Sequence, residues 1–290
     1  GLVGSEMCIR DRDYAKIYRY NYGATKLALK RALEGFPDVD TLIKEKDKHP
    51  HPIVRFRAKT KLFNLPYLQV AIDITNKERI LRIVKELPES DHLIVEAGTP
   101  LIKLHGLSII EEIKTLRPDL FVVADLKTLD VGNLEARLVA NSGADAIVFS
   151  GLASKKTLDK GIKEAKKCGI YSVIDMMNVE KPVEKLMELD IIPEVVEMHR
   201  AIDIENEAEL SWGEINRIKE KFPNILVAVA GGITQDTVEH ALNCGADILV
   251  VGRAITKARD VRGVARVFLR KLGAEVDQFR IQTDYYQKEG

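Results

Sequence analysis

Short apolar runs alternate with amphipathic segments from about residue 65 to residue 273 of this 290-residue chain. Runs rich in valine, isoleucine and leucine predict strands at 67–72, 92–97, 120–124, 146–149, 170–174, 193–198, 225–230 and 248–251. Apolar residues at helical spacing predict helices at 77–87, 107–116, 134–142, 155–168, 183–189, 212–222, 234–244 and 261–272. Near-continuous apolar strands are typical of a parallel sheet that helices cover.

The number of strand–helix units decides between two folds. Eight units within roughly 210 residues predict a TIM (β/α)8 barrel, an α/β fold. An open, doubly wound sheet is the alternative, but it would carry a glycine-rich G-x-G-x-x-G turn after its first strand. The chain has Asp73-Ile74-Thr75 at that place. The barrel is therefore the favoured fold, with residues 65–273 as its domain.

The two ends of the chain do not share this repeat. Residues 1–12 have no periodicity and resemble a translated cloning adapter, so we exclude them from fold reasoning. Residues 13–64 carry one helical pattern, ending near Leu33, followed by a charged and Pro/His-rich linker. A single helix cannot bury its apolar face alone, so this short helical remnant is expected either to pack on the barrel or to be partly mobile. Residues 274–290 form a polar tail.

Composition excludes several classes of partner. Lys plus Arg and Asp plus Glu each number 44, so the net charge is zero and offers no basic field to nucleic acid or to an anionic membrane. No apolar run reaches the roughly 18–20 residues needed to span a bilayer. Cys8, Cys168 and Cys244 lie far apart without the spacing of metal ligands, which suits a reducing compartment. We predict a cytoplasmic protein.

Ionisable side chains follow five of the predicted strands, at the end where a barrel places its active site. They are Asp73, Glu96, the group Asp125, Lys127 and Asp130, then Asp175 and His199. A carboxylate at a strand end is often only a helix cap. That reading stays open for Asp73 and is favoured for Asp175.

A magnesium site is the first chemical hypothesis. Glu96 and Asp125 end neighbouring strands, and carboxylate oxygens are the ligands that Mg²⁺ prefers. Asp125 has an alternative partner in Lys127. Both readings are compatible, because a metal ion and an ammonium group both stabilise the negative oxygen of an enediolate. His199 is a candidate proton donor or acceptor near neutral pH, although a lone histidine is more often structural.

Glycines after the last two strands predict an anion site. Gly231 and Gly232 follow the seventh strand, and Gly252 with Arg253 follows the eighth. In barrels, backbone amides of these two loops form the usual phosphate site. Two tight turns are the alternative, but Arg253 favours phosphate because a guanidinium binds it in a bidentate manner. A phosphorylated small-molecule substrate is expected.

Several motifs together resemble 3-hexulose-6-phosphate synthase, a family of the orotidine-5′-phosphate decarboxylase superfamily. They are QVAID at 69–73, EAGTPLIK at 96–103, ADLKTLD at 124–130, VEMH at 196–199 and AGG at 230–232. The D-x-K-x-x-D pattern is specific to the superfamily, and E-x-G-T-P-L narrows it to the sugar-phosphate branch. The resemblance covers roughly residues 65–273.

This resemblance implies an Mg²⁺-dependent aldehyde-lyase. It would interconvert D-arabino-3-hexulose 6-phosphate with D-ribulose 5-phosphate and formaldehyde through an enediolate, without a Schiff base. It implies a homodimer with shared active sites, in which Asp130 completes the partner's site. The implied residues are Asp125, Lys127, Asp130 and His199 for catalysis, Glu96 and Asp125 for the metal, and Asp73, Thr99, Gly231, Gly232, Gly252 and Arg253 for the substrate.

Two alternatives remain at this point. Keto-gulonate-phosphate decarboxylases use the same enediolate, but have an arginine three residues after the site histidine, where this chain has Ile202. The other alternative is a barrel that binds a phosphorylated metabolite without turning it over, and the presence of every expected ionisable residue argues against it.

Residues 14–51 resemble the C-terminal end of formaldehyde-activating enzyme, a domain that precedes the synthase in bifunctional archaeal proteins. The region expected to carry the catalytic histidine of that domain is missing, so we do not expect its activity. Such a fusion suggests cleavage of hexulose 6-phosphate toward pentose phosphate, but the sequence leaves the direction of the reaction open.

Overall fold

The computed structural model describes residues 65–199 and 212–273, together with the single positions 25, 29, 32, 33, 35 and 62. The chain divides into two compact units, Gly1–Ile53 and Val54–Gly290. In the first unit, Thr25, Leu29, Ala32 and Leu33 are helical, within the predicted helix. The rest of that unit, Cys8, Ile202 and the tail 274–290 lie outside the described residues.

In the second unit, eight parallel strands close into a barrel in which each strand pairs with the next and β1 pairs with β8. The strands are β1 (Tyr67–Ile72), β2 (Leu93–Ala97), β3 (Phe121–Thr128), β4 (Ala146–Ser150), β5 (Tyr171–Asp175), β6 (Val195–His199), β7 (Leu226–Ala230) and β8 (Ile248–Val251). The predicted TIM barrel is confirmed, and the open sheet is wrong.

Helices follow the strands along the chain. They are α1 (Lys77–Glu86), α2 (Thr99–His105), α3 (Ser108–Leu116), α4 (Gly132–Asn141), α5 (Lys155–Cys168), α6 (Pro182–Met187), α7 (Trp212–Lys221), α8 (Val238–Asn243), α9 (Arg253–Thr256) and α10 (Val261–Lys271). Among the described helices, none combines the length and the apolar character needed to cross a membrane.

The core has two layers, because side chains alternate between the two faces of every strand. Tyr67, Phe121 and Val173 belong to a cluster built from strand residues, which fills the barrel interior. Leu68, Val122 and Ile174 belong to a second cluster, which packs the strands against the surrounding helices. Both faces of the sheet are therefore buried, and this explains why the strands are apolar almost without interruption.

The structure differs from the prediction at β3 and at two short helices. The apolar run predicts a strand that ends at Ala124, but β3 continues to Thr128 through polar residues. Its pairing with β4 shifts register between Ala124 and Thr128, and Lys127 has a left-handed φ of 46°. Helices α2 and α9 were not predicted, because seven and four residues are too few to show a helical period.

Two equivalent ion pairs stabilise the N-terminal ends of the strands. The Nζ atom of Lys114 donates a hydrogen bond to Asp145, whose Oδ2 atom accepts another from the backbone nitrogen of Val122 at 2.9 Å. Lys219 and Asp247 repeat this arrangement before β8. Both sets tie a helix to two strands at the end of the barrel opposite the carboxyl ends.

Asp145→Ala is expected to lower the free energy of unfolding by about 3 kcal/mol, since it leaves the nearly buried Lys114 ammonium without its carboxylate. Chemical denaturation would measure the loss. Glu112→Ala, which breaks the more exposed pair with Lys77, should cost less than about 1 kcal/mol. Equal losses in the two variants would contradict a stabilising role for the buried pair.

Candidate active site

The carboxyl ends of the strands surround a cavity of about 490 Å³. All the predicted site residues except Asp130 line it, as the barrel geometry requires: Asp73, Glu96, Thr99, Asp125, Lys127, His199, Gly231, Gly232, Gly252 and Arg253. The structure thus brings together residues that lie as many as 180 positions apart in the sequence. Their chemical roles remain predictions.

Lys127 lies between two carboxylates. Its Nζ atom is 2.5 Å from Oδ2 of Asp175 and 3.1 Å from Oδ2 of Asp125. Burial alone would lower the pKa of Lys127, but these two carboxylates outweigh burial and raise that pKa above its ordinary value. Lys127 is therefore an ammonium group at neutral pH, suited to stabilise a negative oxygen and not to attack a carbonyl carbon.

His199 shares one nitrogen between two carboxylates. Its Nδ1 atom lies 2.9 Å from Oδ2 of Asp175 and 3.2 Å from Oε1 of Glu197. Burial would lower the pKa of His199, but the hydrogen bonds to Asp175 and Glu197 raise it to about 10. The ring is consequently an imidazolium at neutral pH, able to give up a proton.

The sequence favours a helix-capping role for Asp175, and the structure shows that this prediction is wrong. It does not cap a helix, since Lys181 occupies the N-cap position of α6. Its side chain is buried, with Oδ2 bonded to Lys127 and His199 and Oδ1 accepting from the backbone nitrogen of Met177 at 2.8 Å. Burial raises the pKa of Asp175, but its bonds to His199 and Lys127 lower it overall. Asp175 is the link between the two cationic side chains.

Asp73 is not a helix cap either. Asn76 caps α1, with its Oδ1 atom accepting from the backbone nitrogen of Arg79 at 2.9 Å. The carboxylate of Asp73 lies against Gly98, where a Cβ atom would overlap it and also come within 2.8 Å of the carbonyl oxygen of Ile72. Gly98, in the E-x-G-T-P-L motif, thus leaves room for Asp73 at the rim of the cavity.

Two side chains of the site were missed by sequence reasoning, Glu197 and Gln69. Glu197 is buried and lines the cavity, and Gln69 donates from Nε2 to Oε2 of Glu96 at 2.5 Å. The alternation of strand side chains could have found both. Glu197 lies two residues before His199 on β6, and Gln69 lies two residues before Ala71, another cavity residue, on β1.

The pair Glu96 and Asp125 fits a divalent cation. Oδ2 of Asp125 accepts from Oγ1 of Thr99 at 2.8 Å and faces Lys127, whereas its buried Oδ1 atom has no hydrogen-bond partner among the described residues. Burial and the charge of Asp125 raise the pKa of Glu96 well above its ordinary value. A buried oxygen without a partner beside a second carboxylate is a donor set suited to Mg²⁺.

Charge at the site points the same way. Within the described part of the chain, four carboxylates line the cavity and a fifth, Asp175, lies behind it, whereas the cationic side chains there are Lys127, His199 and Arg253. The carboxylates outnumber the cationic side chains, and a divalent cation bound there would favour the ionised form of Glu96.

A second group of possible ligands is less suited to a metal ion. Ligand atoms of Asp175, Glu197 and His199 all lie within 4.8 Å of one another. However, the same oxygen of Asp175 already contacts the Lys127 ammonium at 2.5 Å. A metal ion there would have to displace a cation that the protein itself supplies, so we assign none to this group.

The opposite side of the cavity is suited to an anion. In the closed barrel β7 lies across from β3, and Gly231 and Gly232 follow it with left-handed φ values of 89° and 72°. Glycine adopts this conformation without strain and lets the backbone approach a ligand closely. The exposed Arg253 follows Gly252 at the same rim, so backbone amides and a guanidinium meet there.

Asp130 lies outside the cavity. It is exposed, and its Oδ1 atom accepts from the backbone nitrogen of Val131, a β-branched residue with a left-handed φ of 49°. The neighbouring Leu129, Leu134 and Leu138 are each about half exposed, at 59%, 48% and 47%. Among the residues that the structure describes, Asp130 therefore does not line the cavity of its own chain.

Comparison with known proteins identifies relatives of both parts of the chain. The model of the orotidine 5′-phosphate decarboxylase/HUMPS family matches residues 66–268, and that of formaldehyde-activating enzyme matches residues 5–54. The match to formaldehyde-activating enzyme begins at residue 5, inside the segment 1–12 that we predict to be a leader, so the end of that leader stays a prediction. The bifunctional enzyme Fae/Hps of Methanococcoides burtonii is 58% identical over 278 residues, which are 94% of this chain and 70% of that protein.

Further relatives agree. The bifunctional enzyme Fae/Hps of Methanothrix thermoacetophila is 56% identical over 275 residues, covering 94% of this chain and 70% of that protein. A crystal structure of 3-hexulose-6-phosphate synthase has a TM-score of 0.63 at 32% identity and covers 71% of this chain and 99% of the other. A keto-gulonate-phosphate decarboxylase (KGPDC) from Streptococcus mutans has a TM-score of 0.62 at 24% identity, which shows the fold alone.

Proposed function

Because the chain belongs to the orotidine 5′-phosphate decarboxylase/HUMPS family, with bifunctional Fae/Hps enzymes among its relatives, we propose that it is a 3-hexulose-6-phosphate synthase. This lyase interconverts D-arabino-3-hexulose 6-phosphate with D-ribulose 5-phosphate and formaldehyde. The observation that carries the proposal is the position of Lys127 and His199 on one oxygen of Asp175, beside Glu96 and Asp125. The free thiols of Cys168 and Cys244 support a reducing, cytoplasmic location.

The reaction needs positive charge and a mobile proton. In the cleavage direction, the C1 hydroxyl of the hexulose gives its proton to solvent water, the C1–C2 bond breaks, and C1 leaves as formaldehyde. The electron pair of that bond passes to C2 and the C3 carbonyl oxygen, which gives an enediolate. The Lys127 ammonium stabilises the negative oxygen of that enediolate. The His199 imidazolium then donates a proton to C2, which gives ribulose 5-phosphate. No covalent bond to Lys127 is required.

Glu96 and Asp125 are proposed to hold Mg²⁺, with Gln69 and Thr99 orienting their carboxylates. When bound, the ion would act as a Lewis acid and add to the positive charge at the substrate's oxygens. The carboxylate of Asp73 lies at the rim beside Gly98 and Gly252, a position suited to accept hydrogen bonds from substrate hydroxyls.

The direct test is formaldehyde release from D-arabino-3-hexulose 6-phosphate, measured with Mg²⁺, without added metal and after EDTA. Magnesium-dependent release, reversible from ribulose 5-phosphate and formaldehyde, would support the proposal. Release of CO₂ from 3-keto-L-gulonate 6-phosphate instead would assign the decarboxylase reaction. Binding of either phosphate ester without turnover would indicate the non-catalytic barrel.

Arg253→Met is expected to raise KM for the phosphorylated sugar by about tenfold to a hundredfold, because it removes a charge-assisted contact to phosphate. The kcat value should change little, since Arg253 follows β8, three strands around the barrel from Lys127 on β3. Steady-state kinetics would separate the two effects. A fall in kcat with an unchanged KM would contradict a role in phosphate binding.

The homodimer is part of the proposal. Asp130 does not line the cavity formed by the described residues of its own chain. Around it, a half-exposed apolar surface is formed by Leu129, Val131, Leu134 and Leu138. Apolar surface of this kind beside a strained residue is typical of an interaction site. A second copy of the chain docked there would bury the leucines and bring Asp130 to the partner's cavity.

A mixing experiment tests whether the sites are shared. Lys127→Met and Asp130→Asn should each be almost inactive alone. After the two variants are unfolded and refolded together in equal amounts, about a quarter of the wild-type activity should return, because half of the dimers are mixed and each has one intact site. No recovery, with dimers confirmed by light scattering, would show that Asp130 acts within its own chain.

A further inference from the structure

Glu197 has no part in the chemistry described so far, yet it lies inside the active site. It occupies β6 at the position paired with Asp175 of β5, and both side chains face the barrel interior. Glu197 is only 4% exposed and lines the cavity. Burial of a carboxylate costs free energy unless a cation or a hydrogen-bond donor faces it, so we expect Glu197 to have such a partner.

The donor that faces Glu197 is His199. Ionised carboxylates only accept hydrogen bonds, so the Nδ1 atom that contacts both Asp175 and Glu197 must carry the proton. Asp175 cannot balance His199 alone, because the same oxygen also binds the Lys127 ammonium at 2.5 Å. Two cations share one carboxylate. Burial raises the pKa of Glu197, whereas the hydrogen bond from His199 opposes that rise and favours the ionised form, which would supply the second negative charge.

We propose that Glu197 is a positioning residue for His199, which together with Asp175 fixes the Nδ1–H tautomer and leaves Nε2 for the substrate. The inference rests on the proposed function, since it assigns a role within the same reaction. By this account Asp175 couples the histidine to Lys127, whereas Glu197 serves the histidine and keeps it charged. The ring is thereby held ready as a proton donor.

The effect on pH dependence follows from every charged group near His199. Asp175 on β5 and Glu197 on β6 favour the imidazolium, as does Asp73 beyond β1, whereas Lys127 on β3 opposes it. Glu197→Gln keeps the size and the hydrogen-bond acceptor but removes a charge. The protonated ring should then lose its proton at a lower pH.

The experiment follows the six histidines of the full chain by NMR titration with Mg²⁺ present, with His199 assigned from its absence in His199→Asn. In Glu197→Gln, the pH midpoint of His199 should fall by at least about one pH unit, as loss of a close opposite charge predicts. The alkaline limb of kcat should move with it. Glu197→Asp, which keeps the charge, should return the midpoint most of the way to the wild-type value. Glu220→Gln, at an exposed position of α7, should leave the midpoint unchanged.

An unchanged midpoint in folded Glu197→Gln would overturn the inference, because it would mean that Glu197 is itself protonated or does not act on His199. Equal shifts in Glu197→Gln and Glu197→Asp would overturn it as well, since the charge would then not be the cause. The titration does not need turnover. A protein without lyase activity but with the expected shift would reject the proposed function and keep this assignment.

Discussion

Lys127→Met should lower kcat for formaldehyde release by about a thousandfold. Methionine matches the length of the lysine stem but removes the charge that would face the proposed enediolate, and loss of a single preorganised donor of this kind costs about 10²–10³ in rate. Asp125 and Asp175 hold Nζ in place. A water molecule that fills the space in the variant would therefore not supply a fixed positive charge. Single-turnover kinetics would measure the effect on the chemical step itself.

The control for Lys127→Met is Lys163→Met on the exposed side of α5, which should keep full activity. Borohydride added during turnover should leave wild-type Lys127 unmodified, since an ammonium group forms no Schiff base. Retention of more than a tenth of the activity by Lys127→Met would remove Lys127 from the catalytic residues. Trapping of a covalent adduct would replace the enediolate mechanism proposed here.

Asp125→Asn should weaken Mg²⁺ binding by more than a hundredfold and lower kcat to a similar degree. The loss exceeds the roughly 10–100-fold effect of an outer-shell change, because the substitution removes the charge of a proposed direct ligand. Asparagine preserves the shape of the side chain and can still accept from Thr99. Isothermal titration with MgCl₂ measures the affinity independently of turnover.

Asp190→Asn, on the exposed surface, is the matched control and should bind Mg²⁺ as the wild type does. Thermal denaturation adds a second readout, because an ion that binds only the folded state raises Tm. The wild type should gain stability from millimolar Mg²⁺, and Asp125→Asn should gain little. Equal affinities in the two variants would place the metal elsewhere or remove it from the site.

The sequence predicts most of this fold because barrel strands are buried on both faces and their apolar runs are easy to recognise. Prediction was less accurate where backbone conformation depends on tertiary contacts. Nothing in the Ala124–Thr128 stretch indicates that Lys127 adopts a left-handed φ or that β3 shifts register against β4. That irregularity is compatible with the contacts of Lys127 to Asp125 and Asp175, which no local pattern reveals.

The site itself was predicted as a set of residues and not as a network. Strand ends converge in every barrel, so Asp73, Glu96, Asp125, Lys127 and His199 could be placed in one cavity from their positions alone. The hydrogen-bond and ion-pair partners of these side chains could not be predicted in this way. The sequence pattern favours a helix cap for Asp175 and indicates no role for Glu197, because a single sequence does not say which carboxylate of β5 or β6 contacts the histidine.

The two lysine–aspartate ion pairs at the N-terminal ends of the strands show that the barrel contains the same local arrangement twice. The sequence Gly-Ala-Asp precedes β4 at 143–145 and β8 at 245–247, two strands that lie four positions apart in the barrel. In each copy of the sequence, a lysine donates a hydrogen bond to the aspartate. This is the trace that duplication of a four-stranded ancestor would leave. The two halves differ in chemistry: β1–β4 carries the proposed metal ligands and Lys127, and β5–β8 carries His199 and the glycine loops. Asp175 contacts Lys127 of the first half and His199 of the second, so the proposed site depends on both halves of the barrel.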